Sequence, residues 1–430
     1  VPKANGAIGC VGEYKQYANS AWTYSNGLVG ATAFDALACP TNSVASGSAC
    51  ACNAGYTEDP TRSSCRAAAP ELASGAQSCK ARPDGAYAGN PIFPASNEKF
   101  ESQLDWVDSG PDSLSLTRTY RSSWAGGVVG PASGLGQVWN HNYNAGLTAS
   151  PSTGPLVITI TLPEGYLRTF TRADTNSPWS AAAGNNADTL TQSSGSFAWR
   201  RADDDSTYNF DASGKLQTVV ARSGRVTTYA YNGAGQLSSV INAFGRALVF
   251  GYAGGNLATV TASDGRVFGY GFDAAGRLSA VTYPGGKGRT FHYGDSTYTQ
   301  ALTGISDEDG LRWGTFAYDS QGRAISTQLA GGVNSYAVSY PSSASASITD
   351  PLGTVRSYGY STNGGKLAVV SGSEASGESE AVAGSRVQGA IGLITSETDF
   401  KGVVTTTSWD TTRRLALGVT RGGGTPRAVT

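Results

Sequence analysis

The chain alternates apolar and polar residues over short stretches and never sustains a helical period. Leu114-Ser115-Leu116-Thr117-Arg118-Thr119-Tyr120-Arg121-Ser122 has a period of two, and Thr227, Tyr229 and Tyr231 return to the same alternation farther on. Such a pattern puts one set of side chains on a packed face and the other in water, as in a strand. Apolar residues at i, i+3, i+4 and i+7 do not recur over any long run, so no helix is predicted. The expected fold class is all-β, with many short strands joined by turns.

From about residue 200 one phrase recurs. Phe210-Asp211-Ala212-Ser213-Gly214-Lys215-Leu216 is followed by Tyr231-Asn232-Gly233-Ala234-Gly235-Gln236-Leu237. A degenerate copy starts near Tyr252 and ends Gly255-Asn256-Leu257, and Phe272-Asp273-Ala274-Ala275-Gly276-Arg277-Leu278 comes next. The leucines return about every 21 residues, a period that marks a repeat architecture. Later copies hold Tyr318-Asp319 with Gly322, Tyr360 with Leu367, and Trp409-Asp410. Each phrase reads as strand, then turn. The aromatic ends a strand on a packed face, and Asp or Asn bonds backbone amides just ahead. Gly supplies a positive φ. Leu then opens the next strand, with Val three positions on (Leu237 and Val240, Leu278 and Val281). A second turn reads Ser223-Gly224-Arg225 or Asp264-Gly265-Arg266. One unit is therefore about one β-hairpin. A lone hairpin is marginal in water, so hairpins stacked edge to edge are expected to make a long, twisting sheet.

Composition supports this and narrows the function. Charged residues are 15% against a usual ~25%, and Gly numbers 57. A net charge of −1 gives no reason to expect nucleic acid or an anionic membrane as partner. No apolar run approaches the ~18 residues of a membrane helix. No G-x-S-x-G, metal-ligand cluster or phosphate loop occurs, so neither an enzyme nor a cofactor is expected. His141, in Trp139-Asn140-His141-Asn142-Tyr143, reads as a structural histidine in an aromatic strand. The turn aspartates recur in register, so turn chemistry explains them without catalysis.

All six cysteines precede residue 80: Cys10, Cys39, Cys50, Cys52, Cys65 and Cys79. An even number in a loop-like, apolar-poor segment predicts a disulfide-stapled head, with fifteen pairings open. Zinc is disfavoured because both histidines lie far downstream. Together with a start at Val1 and the absence of Met, the cysteines predict an extracellular or cell-surface protein whose signal peptide has been removed.

Two resemblances sharpen the reading. Cys50-Ala51-Cys52-Asn53-Ala54-Gly55-Tyr56 with Cys65 resembles the end of an epidermal-growth-factor-like module. Gly89-Asn90-Pro91-Ile92, then Leu104-Asp105-Trp106, then Arg118-Thr119-Tyr120-Arg121-Ser122, then Gly134-Leu135-Gly136-Gln137-Val138-Trp139-Asn140-His141 resembles the domain ahead of the repeats in bacterial rearrangement-hotspot (Rhs) proteins. Val138 departs from that pattern, which usually has Gly there, and Ser96 stands where Thr-Gly is common. The repeats resemble the tyrosine–aspartate (YD) repeats of Rhs proteins, toxin-complex shells and teneurins, which implies a spiralling β-shell able to enclose cargo. Asp350-Pro351-Leu352-Gly353 is superficially similar to the D-P-x-G motif that ends Rhs cores, but it sits inside a repeat and reads as a turn.

The expected organisation is a stapled head over 1–87, an Rhs-type β domain over 88–195, and YD repeats over 196–430 with an exposed acidic loop near 371–386. Three functions follow. The first is a secreted, non-enzymatic structural protein that self-assembles into a fibre or surface layer through sheet edges, copies of itself being the partner and the segment around Trp22–Phe34 a candidate donor strand. The second is part of an Rhs shell that delivers a toxin. The third is a module binding carbohydrate or a cell surface through Tyr and Trp.

Overall fold

The computed structural model describes residues 87–125, 131–150, 156–373 and 383–422. Before residue 87 it gives only short strands, among them Ala7–Cys10, Ala21–Ser25, Ala49–Cys52 and Ser64–Ala67; the side chains there, those of the six cysteines, the growth-factor-like segment and the segment around Trp22–Phe34 included, lie outside the described residues. The described part is all-β, with three single-turn 3-10 segments and no α-helix among the described residues. Its dominant element is one sheet of 22 antiparallel strands, from Thr189–Ser193 to Leu415–Arg421, each paired with its neighbours in chain order. The sheet thus begins a few residues earlier than the expected 196, because Thr189–Ser193 already pairs with Ser196–Arg201. Of the expected acidic loop near 371–386, residues 374–382 lie outside the described residues, and both ends are strand. Lys366–Gly372 and Ala383–Gln388 are strands, joined in register at Ser371 and Ser385.

Ahead of the long sheet is a lead domain of two four-stranded sheets. One orders Trp139–His141, Ser115–Arg121, Glu98–Val107 and Ile92–Phe93; the other runs from Gly146–Ser150 through Leu156–Thr161 and Leu167–Arg172 to Ser180–Ala181. Their apolar sides and one face of the long sheet form a single core, from Trp106, Trp139 and Ile160 to Leu248, Phe291 and Phe316. A second cluster buries Ala88 and Ile92 against Val338, Ile348 and Tyr358. The opposite face of the sheet is of another character. Cross-strand rows there read Gly251, Thr259, Gly269 and Thr282, or Ser339, Ser347 and Ser357.

The ribbon is curled. Its 22 strands leave 21 spacings, which laid flat would span roughly 100 Å at ~4.8 Å each. Yet Asn186, just before the first strand, donates to Thr411 O at 2.8 Å. Arg414 Nη1 donates to Ala183 O and Asn186 Oδ1, both at 3.3 Å. The connector before the first strand therefore reaches the turn between the last two, so the ribbon curls back around the lead domain and the face against that domain is the concave one.

The cause of the curl is periodic. At every aromatic singled out from the sequence the pairing register slips: at Phe210, Tyr231, Tyr252, Phe272, Tyr318, Tyr360 and Trp409. Each slip is a β-bulge, which bends its strand and adds twist. Repeating it at one end of alternate strands curves the ribbon steadily to one side.

The seam where the ribbon curls back can be tested. A Cβ on Gly184 would collide with Gly364 O. Gly184→Val should therefore raise hydrogen–deuterium exchange around 363–366 and 411–414 while leaving the strands of 216–330 protected. Unchanged exchange at 411–414 would mean that the seam does not hold the curl.

Candidate functional site

The place where the chemistry concentrates is the contact between the lead domain and the concave face. Arg118 is fully buried and forks onto Asp105, Nε to Oδ2 at 2.6 Å and Nη2 to Oδ1 at 2.8 Å. Its guanidinium also lies 5.3 Å from the Trp139 ring and 5.2 Å from Phe291. Burial opposes the charge, and Asp105 more than offsets that, so Arg118 stays protonated. Tyr270, from the repeats, donates to Asp105 Oδ2 at 3.1 Å. Trp139 Nε1 donates to Tyr293 Oη at 2.8 Å, and Tyr120 Oη accepts from Leu302 N at 2.8 Å.

Backbone joins the two parts as well. Leu147 N donates to Gly214 O, Leu257 N to Gly134 O, and Ala324 N to Asn97 O, all between 2.8 and 2.9 Å. At the other edge of the ribbon Arg246 clamps the loop after Glu98–Val107. Its Nε pairs with Asp108 at 2.7 Å, Nη1 donates to Ser109 O at 2.5 Å, and Nη2 bonds Pro111 O.

The repeats carry a clamp of their own. Asp273 Oδ1 accepts from Ala275 N and Arg277 N, both at 3.0 Å, while Oδ2 takes Arg277 Nε at 2.7 Å. Asp319 does the same with Gln321 N, Arg323 N and Arg323 Nε. Asp211 caps Ser213 N and Lys215 N, and Asn232 caps Ala234 N and Gln236 N. Gly214, Gly235, Gly276 and Gly322 follow with φ between 73° and 83°, a region that penalises any Cβ. Burial works against the charge of Asp273, and the Arg277 N–H and guanidinium overcome it, holding the carboxyl below its ordinary value.

The basic residue of each turn then lies over the aromatic of the next unit: Lys215 over Tyr231, Arg277 over Tyr293, Arg323 over Tyr340, at 4.8 to 5.3 Å. The hydroxyl of that tyrosine reaches back to the carbonyl just after the basic residue. Tyr231 donates to Leu216 O and Tyr293 to Leu278 O at 2.8 Å, and Tyr340 to Ala324 O at 2.5 Å. Tyr318 donates to Leu302 O at 2.9 Å and Trp409 Nε1 to Ile394 O at 2.8 Å. Phe210 and Phe272 have no such group and serve by packing, Phe210 fully buried and Phe272 against the core. Tyr252 also packs on that core, and Tyr360 is buried in the second cluster.

Sequence reasoning missed part of this. Asn242, Asp307 and Asp399 cap turns on the opposite edge in the same way, and Asp350, read from the sequence as part of a turn, caps Leu352 N and Thr354 N there. Asp350 also pairs with Arg356 at 2.9 Å. Tyr293 and Tyr340 lack the sequence mark of the repeat because Gly294 and Pro341 replace the acidic residue after the aromatic. No group of three His, Cys, Asp or Glu side chains suited to a metal occurs among the described residues.

Residues 210–247 and 252–287 match the RHS Repeat family, and residues 89–170 match a domain of unknown function, DUF6531. Residues 210–247 and 252–287 are thus Rhs repeats, and the two matches support the Rhs/YD-repeat resemblance of the sequence. No curated relative matches it in sequence. Among solved structures it is similar to a TcdB2-TccC3-TEV chain, at 12% identity over 77% of this chain and 22% of that one, TM-score 0.36. Another is the Photorhabdus luminescens Tc holotoxin pore with the TccC3-D651A mutation, at 11% identity over 78% and 22%, TM-score 0.37. A porin-like protein from Bacteroides uniformis ATCC 8492 has 13% identity over 54% and 86%, TM-score 0.16. The chain spans about a fifth of the toxin-complex chains it matches.

Two substitutions probe the clamp and the interface. Tyr293→Phe strands both Leu278 O and Trp139 Nε1 and should cost about 1–3 kcal/mol. Tyr231→Phe strands only Leu216 O and should cost less, both read as shifts in thermal midpoint.

His141 gives a pH prediction. Burial lowers its pKa to about 4 from 6.5, with Tyr143 N donating to Nδ1 at 3.3 Å. The unfolded chain takes up this proton between those values and the folded chain does not, so stability falls as pH drops through that window, by up to about 3 kcal/mol. Melting curves of His141→Asn should lack this component; an unchanged pH dependence above pH 4 would refute it.

Proposed function

We propose that this chain forms a plugged turn of an Rhs-type β-shell, a non-enzymatic wall that encloses a cargo and works outside the cytoplasm. The observation that carries this reading is the curled ribbon, which returns on itself across Asn186 and Thr411 while the lead domain fills its concave face. A wall needs a course of strands that curls back on itself and a way to stop one end, and the two features together support both. Enclosure of a toxin and delivery of it belong to the same proposal, drawn from the kinship of the repeats.

The fibre reading draws less support. A fibre built by edge pairing favours a flat, extended ribbon, and the bulges work against that. The sugar-binding reading is also weaker, because the YD aromatics face the core or their own turns rather than solvent.

Electron microscopy and analytical ultracentrifugation of the unreduced chain would decide between these. The shell reading expects discrete monomers with a curved wall on the order of 30 Å across, the diameter of a circle of roughly 100 Å. Regular filaments that dissociate on dilution would overturn it.

A further inference from the structure

The convex face of the ribbon is rich in Ser, Thr, Gly and Ala, with scattered exposed valines such as Val355, Val387 and Val404, and in one strip the apolar residues gather. Val226, Ile241, Val249 and Val267 lie on that face with 37%, 38%, 51% and 46% of their surface exposed, and Phe244, in the adjoining turn, has 53%. Register shows that they are neighbours. Val220 stands opposite Val226, Ile241 opposite Thr228 and Ala247, and Val249 and Val267 flank Thr261 in one row. The strip runs diagonally over six consecutive strands, from Leu216–Val220 and Val226–Tyr231 through Leu237–Ile241 and Ala247–Ala253 to Val267–Phe272, with Thr261 of Asn256–Ala262 standing between Val249 and Val267.

Its charge is one-sided. Arg222 and Arg225 are exposed at its edge and make no ion pair among the described residues, and the Arg225 guanidinium lies 5.2 Å from the Phe244 ring. The other charges nearby are engaged. Arg246 is held by Asp108, Arg266 by Asp264, and Asp112 Oδ2 accepts from Ala243 N at 3.3 Å. The result is an apolar strip with two available guanidiniums beside it.

We propose that this strip is a docking site for an acidic segment of a partner protein, extended in conformation, with aliphatic or aromatic side chains between its carboxylates. The apolar residues meet the valines and Phe244, and the carboxylates meet Arg222 and Arg225, the arrangement in which arginine beside an aromatic anchors an interface. A second copy of this chain fits poorly, since apposing two such strips brings four arginines together without carboxylates. The proposal stands on the convex face and does not depend on what the concave side encloses.

The test uses the whole chain and a fluorescein-labelled short peptide alternating Glu with Val and Leu, followed by fluorescence anisotropy. Saturable binding is expected, weakened by salt, and reduced roughly tenfold or more by Phe244→Ser or by Arg222→Glu with Arg225→Glu. All these positions are exposed, and unchanged melting curves would establish that the variants fold. The same peptide with Lys for Glu should not bind. No binding of the acidic peptide, equal binding of the Lys peptide, or variants that bind as the parent does would overturn the proposal. So would dimerisation abolished by Val249→Thr, which would make the occupant a second copy, or binding to phosphatidylserine vesicles in preference to the peptide.

Discussion

A sheet this wide has two large faces, and a chain of ordinary length can keep only one of them dry. That constraint organises the molecule. The lead domain covers the concave face, and the ribbon must bend around it, since a compact body cannot touch so many strands of a flat sheet. Burial then dictates chemistry. Arg118 enters the core only because Asp105 forks onto it and aromatic rings surround it. Arg168 enters beside Asp188 and Asp203 for the same reason. A charge buried without such partners would be severely destabilising.

The convex face obeys a different rule. It is wet, so it needs no large side chains, and small ones let neighbouring strands twist past one another. Thr and Ser satisfy the surface without charge. This is why so low a charged fraction is compatible with a sheet exposed along one whole side: hydroxyls and backbone turns do the solvating that lysine and glutamate do elsewhere.

Much of this was legible locally. An Asp or Asn followed by Gly at a fixed distance specifies a turn from neighbouring atoms alone, so Asp211, Asn232, Asp273 and Asp319 could be placed from the phrase around them. The all-β class followed from period and composition. What could not be read was anything that depends on distant partners. Arg118 in the sequence is one polar position of a strand, and its role rests on Tyr270 and Phe291. Arg246 looks like another turn arginine until the loop at 108–112 is brought under it. The bulges were equally hidden, because a register slip belongs to a pair of strands and not to either sequence. The opposite-edge caps at Asn242 and Asp307 are harder to read for a simpler reason: their turns vary more in sequence and carry no aromatic to mark them.

The bulge at each aromatic has one more consequence. Because bending is delivered in equal instalments, one per repeat, the radius of the arc is a property of the unit and its extent a property of the count. Duplicating a stretch of about 21 residues adds one step along the same arc and leaves its curvature alone. Such a gene can grow or shrink by unequal recombination without redesigning its wall, and natural variation in this lineage should therefore be quantised in whole hairpins.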